Sequence, residues 1–236
     1  MMDQVTTITF FRYSGFEKVW AFGMMQFAHQ YLVKTSGLTF YKLLGTGKGN
    51  GFNPRPDYSR YALLQVWENE RAADLFFQSN PLNSIYDRHS SERWTLYMRV
   101  VKADGCWSGQ NPFIAHTSDM TGAVAVITRA TIRVSKLRTF WRYVPASAKP
   151  LEETEGLIYT KGIGEIPFLQ MATFSLWKNE DSIRKFAYQS KEHRKAIALT
   201  RSLNWYKEEL FVRFQPYRSE GIWYGQDPLI SENRLQ

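Results

Sequence analysis

Hydrophobic and polar positions along the chain change between strand-type and helix-type spacing, and the order of these changes in the first half predicts a β-α-β-β-α-β unit. Runs rich in β-branched and aromatic residues predict strands at 5–11, 38–44, 61–67 and 94–101. Helical spacing predicts a helix at 16–30, with Phe16, Val19, Trp20 and Gly23 on one side. A second helix is predicted at 69–78, with Asn69 available as its N-cap.

The second half of the chain repeats this order of elements. Its predicted segments lie at 123–132, 137–143, 157–162, 169–177, 179–203 and 209–215. A β-α-β-β-α-β unit is the ferredoxin-like pattern, in which helices cover one face of a four-stranded sheet. Two such sheets can bury their open faces against each other. The pattern therefore predicts an α+β fold in which tandem ferredoxin-like repeats form a single-chain version of a dimeric α/β barrel.

A shared motif closes each half and supports an internal repeat. The sequence Gly-Cys-Trp-Ser-Gly-Gln-Asn-Pro at 105–112 is echoed by Gly-Ile-Trp-Tyr-Gly-Gln-Asp-Pro at 221–228. Upstream landmarks recur in order, with Trp67 answered by Trp177 and Trp94 by Trp205. These landmarks divide the chain into a first repeat at 1–113, a linker at 114–122, a second repeat at 123–230 and a polar, mobile tail at 231–236.

Composition places the chain among folded globular proteins. Of its 236 residues 44% are hydrophobic and 16% are aromatic, which suits thick cores or a pocket for a flat, apolar ligand. Apolar runs fall short of the roughly 20 residues that span a bilayer, and residues 1–4 lack a secretion signal. A cytoplasmic location is expected. The single cysteine, Cys106, excludes an internal disulfide and a thiolate metal cluster.

The net charge of +8 favours contact with anionic partners without identifying one. The sequence contains no recognisable RNA- or DNA-binding motif, so nucleic acid is not expected as a partner. Peripheral contact with anionic lipid headgroups becomes the better interpretation if the substrate itself resides in a membrane. An ordinary solvated surface is the simplest explanation.

Several common kinds of catalytic site are absent from the sequence. The glycine-rich segment 45–51 matches neither phosphate-binding motif and joins two predicted strands, so 45–56 is interpreted as a flexible flap. The chain lacks a G-x-S-x-G nucleophile elbow, an H-E-x-x-H motif and a Cys/His cluster. Hydrolase and zinc-enzyme functions are therefore not expected.

Among the four histidines, His193 has the most suggestive position. Helical spacing places it on one face with Ala196, Ile197 and Thr200. An imidazole that faces an apolar interior can bind haem iron from one side, but it can equally be a core histidine bonded to a carbonyl. Spacing alone favours the core histidine. His89, among polar neighbours, is interpreted as a surface residue with a structural role.

Basic residues at matching strand positions are the remaining candidates. Lys42 and Lys161 each precede a glycine by three residues, and Arg12 and Arg129 are placed at or just beyond the first strand of each half. If such groups point into the barrel they can pair with haem propionates, because guanidinium matches a carboxylate in bidentate geometry. Residues of this kind more often lie on the outer face of a sheet.

The chain resembles the spheroidene monooxygenase family, the carotenoid-oxidising enzymes of purple bacteria, from about residue 7 to 228. The resemblance rests on blocks in the same order at 10–12, 15–18, 40–47, 51–52, 127–131, 162–168, 193–197 and 204–210. The segment 53–58 departs from the family pattern, which leaves the substrate open.

This resemblance implies an oxygen-dependent monooxygenase with haem iron as cofactor. By analogy with haem enzymes built from duplicated ferredoxin-like units, His193 is expected as the iron ligand, with Lys42, Lys161 and Arg129 toward the cofactor. An acyclic carotenoid or a similar apolar substrate would lie inside the barrel, and electrons would come from a separate protein. A haem dehydratase or peroxidase and a non-catalytic haem- or lipid-binding module are the alternatives.

Overall fold

The computed structural model describes residues 3–49, 55–116, 121–148, 154–189 and 203–229. The first half contains β1 (Val5–Arg12), α1 (Glu17–Phe27), α2 (His29–Leu32), β2 (Leu38–Gly47), β3 (Pro56–Trp67), α3 (Glu70–Ser79), α4 (Pro81–His89) and β4 (Glu92–Gly105). The second half contains β5 (Val124–Ile132), a 3₁₀ turn (Val134–Lys136), α5 (Leu137–Ala148), β6 (Leu157–Ile166), β7 (Gln170–Trp177), α6 (Glu180–Gln189) and β8 (Tyr206–Gly221).

The eight strands form a closed antiparallel barrel in the order β1-β3-β2-β6-β7-β5-β8-β4. Each half contributes four adjacent strands, and the halves meet at two seams. One seam is long, because β4 pairs with β8 from Trp94–Gly221 to Gly105–Leu210. The other joins β2 to β6 through two residue pairs, Gly45–Gly164 and Thr46–Ile163. The predicted α+β barrel is confirmed, and its two seams differ greatly in length.

Inward-facing side chains from all eight strands form one buried hydrophobic cluster inside the barrel. The ring of Phe10 is at its centre, with centroid distances to Tyr159, Phe174 and Trp94 of 5.2, 5.4 and 5.7 Å. These rings occupy the space in which we expected an elongated substrate. In the described residues, the barrel interior is therefore a packed core, and the expectation of a substrate there is wrong.

The helices cover the outer faces of the sheets, and the residues predicted on one side of α1 do not share one environment, because Trp20 packs against a buried cluster outside the barrel. Ala21 and Met24 face the sheet, whereas Phe16 and Val19 point to solvent. The sequence analysis did not predict helix α4. The Asn80 side chain caps the start of this helix by accepting a hydrogen bond from the Leu82 amide at 3.0 Å. An Asn-Pro pair at a helix start is a recognised signal, so this helix was predictable.

Several predicted boundaries change in the structure. Strand β2 extends to Gly47 and β3 begins at Pro56, so the loop interpreted as a flap is shorter than 45–56. Of that loop, residues 50–54 lie outside the described residues, as do the tail 231–236 and residues 190–202 of the helix predicted at 179–203. Trp94 and Trp205 are not equivalent, because Trp94 points into the barrel and Trp205 packs outside it against Phe140.

The motif shared by the two halves forms matching turns that close the barrel ends. Trp107 and Trp223 are both buried in the barrel core. Each forms an isolated antiparallel β-bridge, Trp107 with Gln110 and Trp223 with Gln226. Gly105 and Gly221 have positive φ angles of 96° and 88°. A Cβ atom at Gly105 would lie 2.2 Å from the Glu209 carbonyl oxygen, so the glycine is required by close backbone approach.

Within the ranges described, no helix combines the length and hydropathy needed to cross a bilayer.

Candidate active site

A cleft of about 230 Å³ lies on the outside of the barrel, over the short seam between β2 and β6. Its walls come from α1, β3, β7 and the turn after β6, and most of its lining is apolar. The lining residues are Phe22, Met25, Gly45, Thr46, Gly47, Pro56, Asp57, Tyr58, Tyr61, Gly162, Ile163, Gly164, Glu165, Ile166, Pro167, Phe168, Gln170 and Met171. The cleft therefore contains residues from both halves of the chain.

Glycines form the floor of this cleft, and two of them face each other across the seam. A Cβ atom at Gly45 would meet only the Gly164 carbonyl oxygen, at 3.8 Å, which is ordinary contact. A Cβ atom at Gly164 would lie 2.6 Å from the Gln170 carbonyl oxygen, so a side chain there would clash. A side chain could therefore be accommodated at Gly45. At Gly164, close packing against the backbone of Gln170 allows only glycine.

One buried hydroxyl in the cleft lining has no hydrogen-bond partner in the described structure. The Tyr61 side chain is 7% exposed, and its Oη atom is unpaired among the described residues. Burial, together with the nearby Tyr58 and Asp57, raises the pKa of Tyr61 to about 12. The phenol is therefore neutral at physiological pH and available to donate a hydrogen bond.

At one end of the cleft, Asp57 joins two cations. Its Oδ2 atom lies 2.5 Å from Arg60 Nη1 and 3.5 Å from Lys161 Nζ, and Lys161 also donates to the Gly49 carbonyl oxygen at 3.1 Å. Burial alone would raise the pKa of Asp57, but hydrogen bonds from Ser59 and Arg60 outweigh it and hold the pKa below its usual value. Burial lowers the pKa of Lys161, and attraction to Asp57 offsets only part of this effect.

At the other end, Glu165 accepts two hydrogen bonds and lies near a third basic group. Its Oε2 atom accepts from Lys42 Nζ at 2.5 Å, and its Oε1 atom accepts from Trp107 Nε1 at 2.6 Å. Arg129 Nη2 lies 3.7 Å from the same carboxylate, and its guanidinium lies over the Trp107 ring. This ionic cluster connects the cleft to the tryptophan that closes one barrel end.

Two glutamates hold the return loops across the halves. Glu208, at the start of β8, accepts from the Ser108 and Gly109 amides at 3.0 and 2.7 Å and pairs with Arg129. Burial would raise the pKa of Glu208, but these bonds lower it. Glu92, at the start of β4, accepts from the Gly225 amide at 3.1 Å in the corresponding position. Each half thus supplies the carboxylate that fixes the other half's loop.

The structure brings two of the predicted basic residues together and separates the third. Lys42 and Arg129 share the Glu165 carboxylate, whereas Lys161 lies with Asp57 at the opposite end. Arg129 is 1% exposed and lies inside β5, within the strand predicted at 123–132. All three cations have protein carboxylates as partners. A haem propionate that paired with any of them would compete with a carboxylate already in place.

His193, the predicted iron ligand, lies outside the described residues. Other histidines have local partners: His29 Nδ1 is 2.8 Å from Tyr41 Oη, and His89 Nδ1 is 2.7 Å from Glu17 Oε2, with its ring stacked on Trp20. The described part of the cleft lining includes no histidine, and the described residues contain no cluster of metal-binding side chains.

Sequence reasoning missed the acidic partners Asp57, Glu165 and Glu208, and it missed Tyr61. The signal for the acids was indirect. Buried cations at matched positions require counter-charges, so Lys42 and Lys161 predict nearby carboxylates without saying which ones. Tyr61 carries no sequence signal, because its importance comes from an unpaired hydroxyl that only the packing reveals.

Comparison with known proteins finds relatives that share one name and a similar level of identity. No protein-family model matches the chain. It is 34% identical over 233 residues to the spheroidene monooxygenase of Cereibacter sphaeroides, covering 96% of this chain and 71% of that protein. The spheroidene monooxygenase of Rhodobacter capsulatus is also 34% identical over 233 residues, covering 97% of this chain and 96% of that protein.

Solved structures support the fold. A crystal structure of aldoxime dehydratase matches with a TM-score of 0.63 and 12% identity, covering 91% of this chain and 82% of that chain. A second aldoxime dehydratase, OxdRE in complex with butyraldoxime, matches with a TM-score of 0.62 and 11% identity, covering 94% and 83%. At these identities the likeness concerns the fold alone.

Proposed function

The chain belongs to the spheroidene monooxygenase family, and from this premise we propose that it inserts oxygen into an acyclic carotenoid, or a similar elongated apolar molecule, bound in the cleft over the short seam. Members of this family are oxygen-dependent oxidoreductases, so an enzymatic role follows from membership. The place of binding and the identity of the substrate are our proposals.

The observation that carries this proposal is the shape and chemistry of the cleft. Its floor is made of glycines and its walls are mostly apolar, so a flat, rigid hydrocarbon can approach the backbone closely. Tyr61 offers a neutral hydroxyl that has no partner among the described residues, in a lining that is mostly apolar. Only the reacting end of a long polyene needs to be enclosed, because the remainder can extend past the open rim of the cleft.

We also propose haem as the cofactor, with His193 as the iron ligand. The family resemblance supports this assignment, because related haem enzymes with duplicated ferredoxin-like units take their iron-binding histidine from a helix of the C-terminal unit. When bound, haem iron would supply the activation of dioxygen, and a separate donor protein would supply electrons. The chain's own residues would orient the substrate and exclude water from the cleft, where Phe22, Met25 and Met171 provide apolar walls.

We place the enzyme at the cytoplasmic face of a membrane, because a carotenoid resides in the bilayer and the chain carries a net charge of +8.

Absorption spectroscopy and product analysis test these proposals together. Protein purified from a haem-supplied host is expected to show a Soret band that His193→Ala abolishes and His89→Ala retains, since His89 is held by Glu17. In a pigment-producing host under ¹⁸O₂, the wild-type chain is expected to yield carotenoids that contain the heavy isotope. A Soret band that survives His193→Ala contradicts the ligand assignment, and unchanged carotenoids contradict the activity.

A further inference from the structure

We propose that α1 and the rim of the cleft form a docking surface for an anionic lipid bilayer, from which the substrate passes directly into the cleft. The surface consists of Phe16, Val19, Phe22 and Phe27 on α1 and its flanks, together with Tyr58, Ile166 and Phe168. We call this set the apolar rim. The inference rests on the proposed function for the identity of the substrate, but its docking step can be measured separately.

The first observation is a largely exposed apolar stripe on α1 and its flanks. Phe16, Val19, Phe22 and Phe27 are 94%, 73%, 61% and 63% exposed. Their spacing places them along one side of the helical segment, opposite the buried residues Ala21 and Met24. Large exposed apolar patches are uncommon on soluble proteins, and they mark surfaces that bind proteins or membranes.

The second observation is that this stripe continues into the cleft. Phe22 lies on α1 and also lines the cleft, where its ring contacts the Tyr58 ring edge-on at 6.2 Å between centroids. Across the opening, Ile166 and Phe168 are each 47% exposed and line the opposite wall. An apolar molecule that leaves a bilayer against this surface therefore meets hydrophobic side chains along its whole route.

The third observation is the charge around the rim. Lys48 and Arg55 adjoin the cleft-lining residues Gly47 and Pro56, and both are exposed and basic. The acids between residues 14 and 58 are Glu17, whose half-exposed side chain is hydrogen-bonded to His89, and Asp57, which is buried against two cations. Basic residues close to a membrane surface contribute about 1 kcal/mol each with anionic lipids.

These charges favour a bilayer over a second copy of the chain. Two copies that met through the apolar rim would bring like basic groups together, which opposes association. An anionic bilayer instead offers hydrocarbon to the rim and negative headgroups to its basic border. This is the binding pattern of helices that lie in the plane of a membrane interface with their apolar side inward.

Vesicle flotation tests the proposal with the full-length protein. The wild-type chain is expected to float with vesicles of phosphatidylcholine and phosphatidylglycerol, and to bind more weakly to phosphatidylcholine alone. The Phe16→Ser/Val19→Ser pair removes two exposed apolar groups outside the cleft and is expected to lower the partition coefficient about tenfold or more. A Leu75→Ser/Ile114→Ser pair, at apolar residues 53% and 62% exposed outside the rim, is the matched control and is expected to bind like wild type.

Turnover provides the second readout. The Phe16→Ser/Val19→Ser pair is expected to oxidise carotenoid in detergent micelles at the wild-type rate, but to lose rate when the carotenoid is supplied in vesicles. The proposal is overturned if the wild-type chain does not float with anionic vesicles or if this pair floats like wild type. It is also overturned if sedimentation velocity shows a dimer that the pair dissociates. Normal flotation without oxygenated product in micelles would instead refute the proposed function and leave the docking surface standing.

Discussion

Individual residues at the short seam determine whether a ligand can enter the cleft. Gly45 and Gly164 face each other there, yet they are glycines for different reasons. Packing against the Gln170 carbonyl excludes a side chain at Gly164, whereas the space above Gly45 is open. Gly45 is therefore a position at which the cleft can be filled without disturbing the barrel.

Replacing Gly45 by Leu is expected to lower carotenoid turnover about tenfold or more while the melting temperature stays within a few degrees of wild type. The leucine would project from a strand face into the cleft, where it would occupy the space of the substrate. Gly45→Ala is the graded control and is expected to lose less activity. If Gly45→Leu turned over carotenoid at the wild-type rate, the substrate would have to bind outside this cleft.

Charge at the Asp57 end of the cleft is expected to make stability depend on pH. Because the pKa of Asp57 is lowered in the folded state, its carboxylate stabilises the fold above the ordinary Asp pKa of about 4, and this contribution is lost as the pH falls through the lowered value. Asp57→Asn is expected to cost about 3 kcal/mol at pH 7, since Lys161 and Arg60 lose their counter-charge.

Urea unfolding across a pH series measures this effect. The difference between wild type and Asp57→Asn is expected to be largest above pH ~5 and to shrink in more acidic solution. Adding Lys161→Met to Asp57→Asn is expected to recover part of the loss, because it removes the cation that the first change leaves unpaired. A difference that is constant with pH would show that Asp57 acts through packing alone.

At the scale of elements, the two seams between the halves are expected to differ in stability. Strands β4 and β8 pair along nearly their full length, whereas β2 and β6 share two residue pairs next to the cleft. Local opening requires fewer hydrogen bonds to break at the short seam. The cleft thus lies over the part of the barrel that is easiest to open.

Hydrogen exchange read by mass spectrometry can compare the seams. Peptides covering 43–47 and 161–165 are expected to exchange about tenfold or more faster than peptides covering 94–100 and 212–218. A bound carotenoid is expected to slow the first pair selectively. Equal protection at both seams would contradict this description of the barrel.

Element prediction failed mainly where tertiary contacts determine which side of a helix is buried. Helical spacing identified α1 and grouped Phe16, Val19 and Trp20 on one side, but Phe16 and Val19 face solvent whereas Trp20 packs against a buried cluster. A helix that carries large apolar residues on more than one side has no unique inward face until its neighbours are known. By contrast, α4 was missed although Asn80 and Pro81 signal a helix start.

The whole molecule is expected to unfold as one unit despite its two similar halves. A single hydrophobic cluster draws on all eight strands, and Glu92 and Glu208 each fix the return loop of the other half. Differential scanning calorimetry is expected to show one transition whose calorimetric and van't Hoff enthalpies agree. Two resolved transitions would mean that the halves are stable independently.

The sequence by itself determined the α+β class, the order of the eight strands, and the matching turns at Trp107 and Trp223. It did so because hydrophobic periodicity and turn-forming glycines act locally, over a few residues. It also identified Lys42, Lys161 and Arg129 as unusual.

Only the tertiary structure determined what these residues face. Closure of the barrel pairs Lys42 and Arg129 with Glu165 and pairs Lys161 with Asp57, from segments up to 123 residues away. It also fills the interior with rings and leaves the cleft outside, over the short seam. Such features depend on which surfaces remain uncovered once two sheets have packed, and no local pattern in the chain specifies them.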